Sequence, residues 1–117
     1  MKDELLQIFP TPLLITKYKG SLEQELKHID TLDWIEQKQN GNFKSKDTYL
    51  LDNEQFKNIK NFIYESINKF SKDILQSDQR LVVTQCWLNK NPKGSRHHEH
   101  VHPNSIVSGV FYFKQDP

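Results

Sequence analysis

An α+β fold, with two amphipathic helices packed on a sheet, is what the order of hydrophobic patterns along this chain predicts. Three observations carry it. Phe56, Ile59, Ile63, Ile67, Phe70 and Ile74 advance by three or four residues, the period of one helix face. From Arg80 to Asn89 the period is two, with Leu81, Val83, Gln85, Trp87 and Asn89 on one side and Val82, Thr84, Cys86 and Leu88 on the other. Ile106 to Phe113 reads as a further strand. Helices followed by a run of strands argue for α+β rather than stacked βαβ units.

The elements follow in order. Pro10 and Pro12 keep the start of the chain out of a ladder interior, so Leu13–Tyr18 is expected to be a short strand after an extended entry. Gly20-Ser21 ends it. Ser21, with Gln24 three residues on, has the pattern of a capping box, and Leu22, Leu26 and Ile29 form the apolar stripe of a first helix that fades near Trp34-Ile35. The polar run Gln37–Asp47 is expected to be an exposed loop, and Thr48–Leu51 a short extended piece. Asp52 or Asn53 caps the second helix, whose polar faces mix Lys with Glu and so lack the basic face of a membrane-surface helix. Gln76–Gln79 makes a turn, and Pro92 and Gly94 break the strand that ends at Asn89.

A chain of 117 residues predicts a single domain over 1–117. Ala is absent, so the core must rest on Ile, Leu and the aromatics, seven Phe, four Tyr and two Trp. A net charge of +1, with no dense basic run, gives no case for a nucleic-acid partner. The run Pro12–Ile15 is too short for a signal core or a membrane span. Cys86 is the only cysteine, expected to be a buried small residue in a reducing setting, and the expected location is cytoplasmic.

Four of the five histidines fall in His97-His98-Glu99-His100-Val101-His102-Pro103. Neutral imidazole is the commonest transition-metal ligand. An extended backbone sends residues i and i+2 to one side, so His98, His100 and His102 share a face, with His97, Glu99 and Val101 opposite. His100 and His102 are the best pair, because Pro103 ends the ladder beside them; the register His98-x-His100 stays open. A third ligand is not evident. His28 lies on the first helix and is expected to face solvent, Glu99 is on the wrong side, and Asp116 is at the far end of the next strand. A surface histidine cluster with no metal role is the plain alternative.

Gly94, six residues before His100-Val101-His102-Pro103-Asn104-Ser105, with Ile106-Val107-Ser108-Gly109-Val110-Phe111-Tyr112 behind, resembles a group of 2-oxoglutarate–Fe(II) oxygenases of bacterial, phage and marine metagenomic type, related in fold to the prolyl hydroxylases. Ile8-Phe9-Pro10-Thr11-Pro12-Leu13 and Cys86-Trp87-Leu88-Asn89 are similar to that family as well. The resemblance implies a partial double-stranded β-helix, or jelly roll, with Fe(II) and 2-oxoglutarate as cofactors and a small-molecule or peptide substrate. It implies His100 as the first metal ligand and His102 at a position usually held by Asp or Glu. Tyr112 matches a tyrosine that hydrogen-bonds the distal carboxylate of 2-oxoglutarate.

In the family, a distal histidine and, about ten residues on, an arginine for the 2-oxoglutarate carboxylate follow this motif. Arg80 and Arg96 are the only arginines here, and neither follows it. The expectation is therefore the N-terminal portion of such an oxygenase, truncated and inactive alone, with no catalytic side chain assigned. Its exposed sheet edge invites a homodimer. A non-catalytic metal-binding module of jelly-roll or cupin-like type is the alternative.

Overall fold

A computed structural model of the chain describes residues 3–114 and is α+β: a three-stranded antiparallel sheet and two α-helices. The strands are β1 (Trp34–Gln37), β2 (Asn42–Ser45) and β3 (Asn89–Lys90), in the order β1-β2-β3. The helices are α1 (Glu23–Ile29) and α2 (Lys57–Asp73).

The α2 helix follows its sequence period. Phe56 and Ile59 are buried and Ile63 packs on the core, while Lys and Glu face water. Asn53 is the cap, one turn earlier than α2 itself: its Oδ1 accepts from the Gln55 N–H at 3.0 Å and starts a 3₁₀ turn, Glu54–Phe56, that runs into the helix. At the far end the N–H groups of Ile74 and Leu75 both donate to the Phe70 carbonyl, and Gln76 takes a left-handed φ of 50° to leave the helix.

The α1 helix departs from its expected stripe. It is seven residues long, and it buries Glu25 and Ile29 while Leu26 is left exposed. Leu22 holds the N-cap position, and Ser21 Oγ accepts from the Glu23 N–H at 3.3 Å. A helix of two turns has few contacts of its own, so its docking on the 3₁₀ turn, rather than its local stripe, sets which face is buried.

The expected loop at 37–47 contains a hairpin. Trp34 pairs with Ser45 and Gln37 with Asn42. The N–H groups of Asn40 and Gly41 both donate to the Gln37 carbonyl at 2.9 Å, and Gly41 takes φ of 71°, which a side chain would resist. Beyond β3 the ladder continues loosely. Ser45 N–H donates to the Leu88 carbonyl at 2.9 Å, Cys86 N–H to Thr48 at 2.8 Å and Leu50 N–H to Cys86 at 3.1 Å. These bonds seat the chain from Val83 to Leu88 on a core of Ile29, Leu50, Leu51 and Phe56.

The strands expected at Leu13–Tyr18, over 80–89 and at Ile106–Phe113 do not form, apart from Asn89 in β3 and an isolated bridge between Tyr49 and Cys86. Their apolar residues find partners only on one side. Phe111 and Phe113 join an aromatic run with Tyr18, Phe62 and Phe56, at ring separations from 4.8 to 6.3 Å. Ile106, Val110 and Tyr112 face outward, and Phe9 is 94% exposed. A radius of gyration of 17.3 Å, against about 13 Å for a compact chain of this size, reflects these uncovered arms. No described helix is long and apolar enough to cross a membrane.

Candidate metal centre

The histidine segment is held against the hairpin turn. Pro92 and Gly94, the latter at φ of 86°, reverse the chain after β3, and Ser95 N–H closes the turn on the Pro92 carbonyl at 3.0 Å. Arg96 N–H then donates to the Asn40 carbonyl at 3.0 Å. Next to it, His97 Nε2–H donates to Asn91 Oδ1 at 2.9 Å, and Asn42, buried within the sheet, points its amide at the same imidazole and at Asn91. His97 is thereby consumed in a polar cluster that joins both ends of the reversal. Asn42 Oδ1 and Ser95 Oγ are buried there without a protein partner, the kind of place an ordered water fills.

The other three histidines follow one another. The rings of His98 and His100 are 5.1 Å apart between centroids, and those of His100 and His102 are 4.9 Å apart. Two imidazoles bound to one ion through nitrogens at ~2.1 Å stand about 5 Å apart between ring centres, and both spacings are of that size. One tautomer follows from its partner. His100 Nδ1 lies 2.9 Å from the His98 carbonyl oxygen, which can only accept, so the proton is on Nδ1 and the Nε2 lone pair is open. Asn40 Nδ2 lies 3.4 Å from His98 Nδ1, which places the His98 ring against the hairpin turn. His100 belongs to both pairs, and the register His98-x-His100 stays open beside His100-x-His102.

Trp87 and Lys44 complete the surroundings. The Trp87 ring lies 6.1 Å from that of His102, and Lys44 Nζ sits 4.5 Å over the Trp87 ring. A second lysine, Lys90, lies 4.2 Å over Trp34. Nothing in the sequence pattern marks Trp87 or Lys44 as neighbours of the histidines, because the pairing of β2 with β3 brings them there. Asn40 and Asn42 also went unmarked; the Asn40-Gly41 pair between apolar segments is a hairpin signal that would have placed them.

The remaining candidates are placed elsewhere. No group of three His, Cys, Asp or Glu that could hold a metal occurs among the described residues. His28, expected in solvent, is half-buried on α1: its ring packs on Phe56 and its Nε2 accepts from Asn53 Nδ2 at 3.0 Å. Glu99, Gln85 and Asn89 are exposed, and Asp116 lies outside the described residues. Tyr112 projects from the outer side of the 106–113 segment and is 66% exposed, with no ring contact or hydrogen bond to a histidine. Cys86 is shielded, and burial pushes its thiol above its ordinary pKa, which argues against a nucleophile or thiolate ligand.

With this geometry established, the comparison with protein families bears on it directly. Residues 85–117 match the family described as "Putative 2OG-Fe(II) oxygenase". The match covers less than a third of the chain, includes all of the histidine segment, and does not reach Ile8–Leu13. No curated protein and no solved structure matches the chain.

Proposed function

We propose that this chain carries the metal-binding face of a 2-oxoglutarate–Fe(II) oxygenase-type jelly roll, with His100 and His102 as the ligands. The observation that supports it most is the His100 tautomer, with Nδ1–H tied to the His98 carbonyl so that Nε2 keeps its lone pair, inside the segment that matches the family. The chemistry the bound pair would supply is oxidation of a substrate C–H bond by O₂, coupled to decarboxylation of 2-oxoglutarate. The protein's own part is to fix the His100 ring by its backbone bond and to wall one side of His102 with the Trp87 indole.

In this reading Tyr112 donates its hydroxyl to the distal carboxylate of 2-oxoglutarate once a second sheet covers the outward side of residues 106–113. That sheet would complete the double-stranded β-helix. A second copy of the chain, pairing along the exposed edge, is one way to supply it. The substrate is a small molecule or peptide, and the setting cytoplasmic.

No group of three ligands occurs among the described residues, and in this reading the imidazole pair binds metal without turnover. Anaerobic calorimetry with Fe(II), and with Ni(II) or Zn(II) as substitutes, should show binding to the wild type and none to the His100→Ala, His102→Ala double variant. Succinate release with Fe(II), ascorbate and 2-oxoglutarate should stay at background. Equal calorimetric traces for the two proteins would reduce the segment to a surface histidine cluster. The missing third ligand also favours a second reading, a non-catalytic cupin-like metal module. That module would bind Fe(II) yet show no charge-transfer absorption on addition of 2-oxoglutarate.

A further inference from the structure

Asn42 is a costly residue in its place. It lies in β2, is 2% exposed, and leaves its Oδ1 buried without a protein partner. A buried carboxamide with an unanswered oxygen opposes folding, and an apolar side chain would serve the strand better there. Its other end meets the histidine segment. Asn42 Nδ2 lies 3.4 Å from Asn91 Oδ1, and 3.2 and 3.4 Å from the two ring nitrogens of His97. His97 Nε2–H donates to the same Asn91 oxygen at 2.9 Å. The His97 Nδ1 lone pair is then the acceptor for one Asn42 N–H, while the other goes to Asn91.

We propose that Asn42 is a positioning residue for the metal centre, acting on His100 through the His97 ring. The route is short. Three consecutive residues are tied down beside the hairpin: Arg96 by its N–H to the Asn40 carbonyl at 3.0 Å, His97 by its ring to Asn42 and Asn91, and His98 by its ring, 3.4 Å from Asn40 Nδ2. Of these ties, the one through His97 ends on a fully buried side chain. The His98 carbonyl then takes the His100 Nδ1 proton at 2.9 Å.

Release of the His97 ring frees the backbone on either side of it, and a carbonyl displaced by about an ångström no longer holds such a bond. An imidazole without a fixed partner carries its proton on either nitrogen, so His100 would present its Nε2 lone pair for only part of the time. The inference rests on the metal reading for its consequence, though not for its effect on the His100 ring.

Long-range proton–nitrogen NMR of the metal-free, labelled chain tests it at mildly alkaline pH, where imidazole is neutral. The wild type should show His100 protonated on Nδ1, and Asn42→Ala and His97→Ala should each show a mixture of tautomers, with the amide resonances of α2 unmoved. Ni(II) affinity should fall about tenfold in each variant. The two losses should coincide rather than add in the double variant, because both residues act through one contact. If Asn42→Ala fails to fold, His97→Ala decides alone, since that ring is exposed. Mixed tautomers of His100 in the wild type, a wild-type His100 signal in the folded variants, or additive losses of affinity would overturn the proposal. A wild type that takes up no Ni(II) overturns the metal reading instead, and the tautomer result still decides whether Asn42 orients the ring.

Discussion

His100 Nδ1 donates to the backbone carbonyl of His98 at 2.9 Å. The two residues most easily confused as ligands are thus bound to each other, and the bond gives them different tasks. His98 contributes a carbonyl that orients its neighbour, and its own ring turns to Asn40. A backbone acceptor cannot be removed by changing the side chain. His98→Ala should therefore leave metal affinity within a few-fold of wild type, whereas His100→Ala or His102→Ala should weaken it by about tenfold or more. Calorimetry with Ni(II) on the three single variants checks this, and an equal loss for His98→Ala would assign the pair to the other register.

Trp87 offers an optical reading of the same site. Its ring is 6.1 Å from His102, close enough for a bound paramagnetic ion to quench it. Addition of Ni(II) or Cu(II) should lower the tryptophan emission of the wild type. The quenching should be lost in Trp87→Phe, where Trp34 remains the only emitter. Undiminished quenching in that variant would place the ion nearer Trp34.

Ser45 joins the hairpin to the segment that leads into the histidines. It is almost wholly buried, its hydroxyl donates to the Asp47 carbonyl at 2.8 Å, and the same oxygen accepts from the Leu88 N–H at 3.0 Å. Ser45→Ala leaves both partners unpaired in a buried site and should cost about 1–3 kcal/mol. Denaturant unfolding measures it, and a midpoint unchanged from wild type would mean that water replaces the hydroxyl.

Ile59, 2% exposed on α2, and Val110, on the outward side of the last segment, are similar apolar residues in opposite situations. Ile59→Ala should destabilise by about 2–5 kcal/mol, since it removes packed atoms and leaves a cavity. Val110→Ser should change stability by less than about 0.5 kcal/mol in the monomer. A large loss from Val110→Ser would show that this face is covered in solution, as a homodimer requires.

Burial raises the Cys86 thiol above its ordinary value of 9.0. The fold favours the neutral thiol, so the group costs nothing below that value. As pH rises past it, ionisation is easier in the unfolded chain, and stability falls. Comparison of wild type with Cys86→Ala should show parallel behaviour near neutrality and a steeper alkaline loss for the wild type. Parallel profiles across the alkaline range would indicate that water reaches the sulfur.

Much of α2 was legible because a helix makes its hydrogen bonds within one segment, and the spacing from Phe56 to Phe70 reports which side turns to the core, while Ile74, at the end of the stripe, is exposed past the helix. The two-residue period of His98, His100 and His102 likewise sets their rings in sequence, and residues 85–117 carry the family match by their sequence alone. The segment 37–47 was misread as a loop because its polar composition outweighed the Asn40-Gly41 turn signal. The Arg80–Asn89 alternation set Val83 on one face and Cys86 and Leu88 on the other, yet all three pack on the core, and within it only Asn89 enters a strand.

The sequence by itself therefore determined the helix period, the histidine spacing and the resemblance of the last quarter. Only the tertiary structure decided that Asn40 faces His98, that Trp87 borders His102, and that His100 carries its proton on Nδ1. The physical reason is that a strand pairing or an imidazole tautomer belongs to two groups at once. Its second partner can lie tens of residues away, where no local pattern records it.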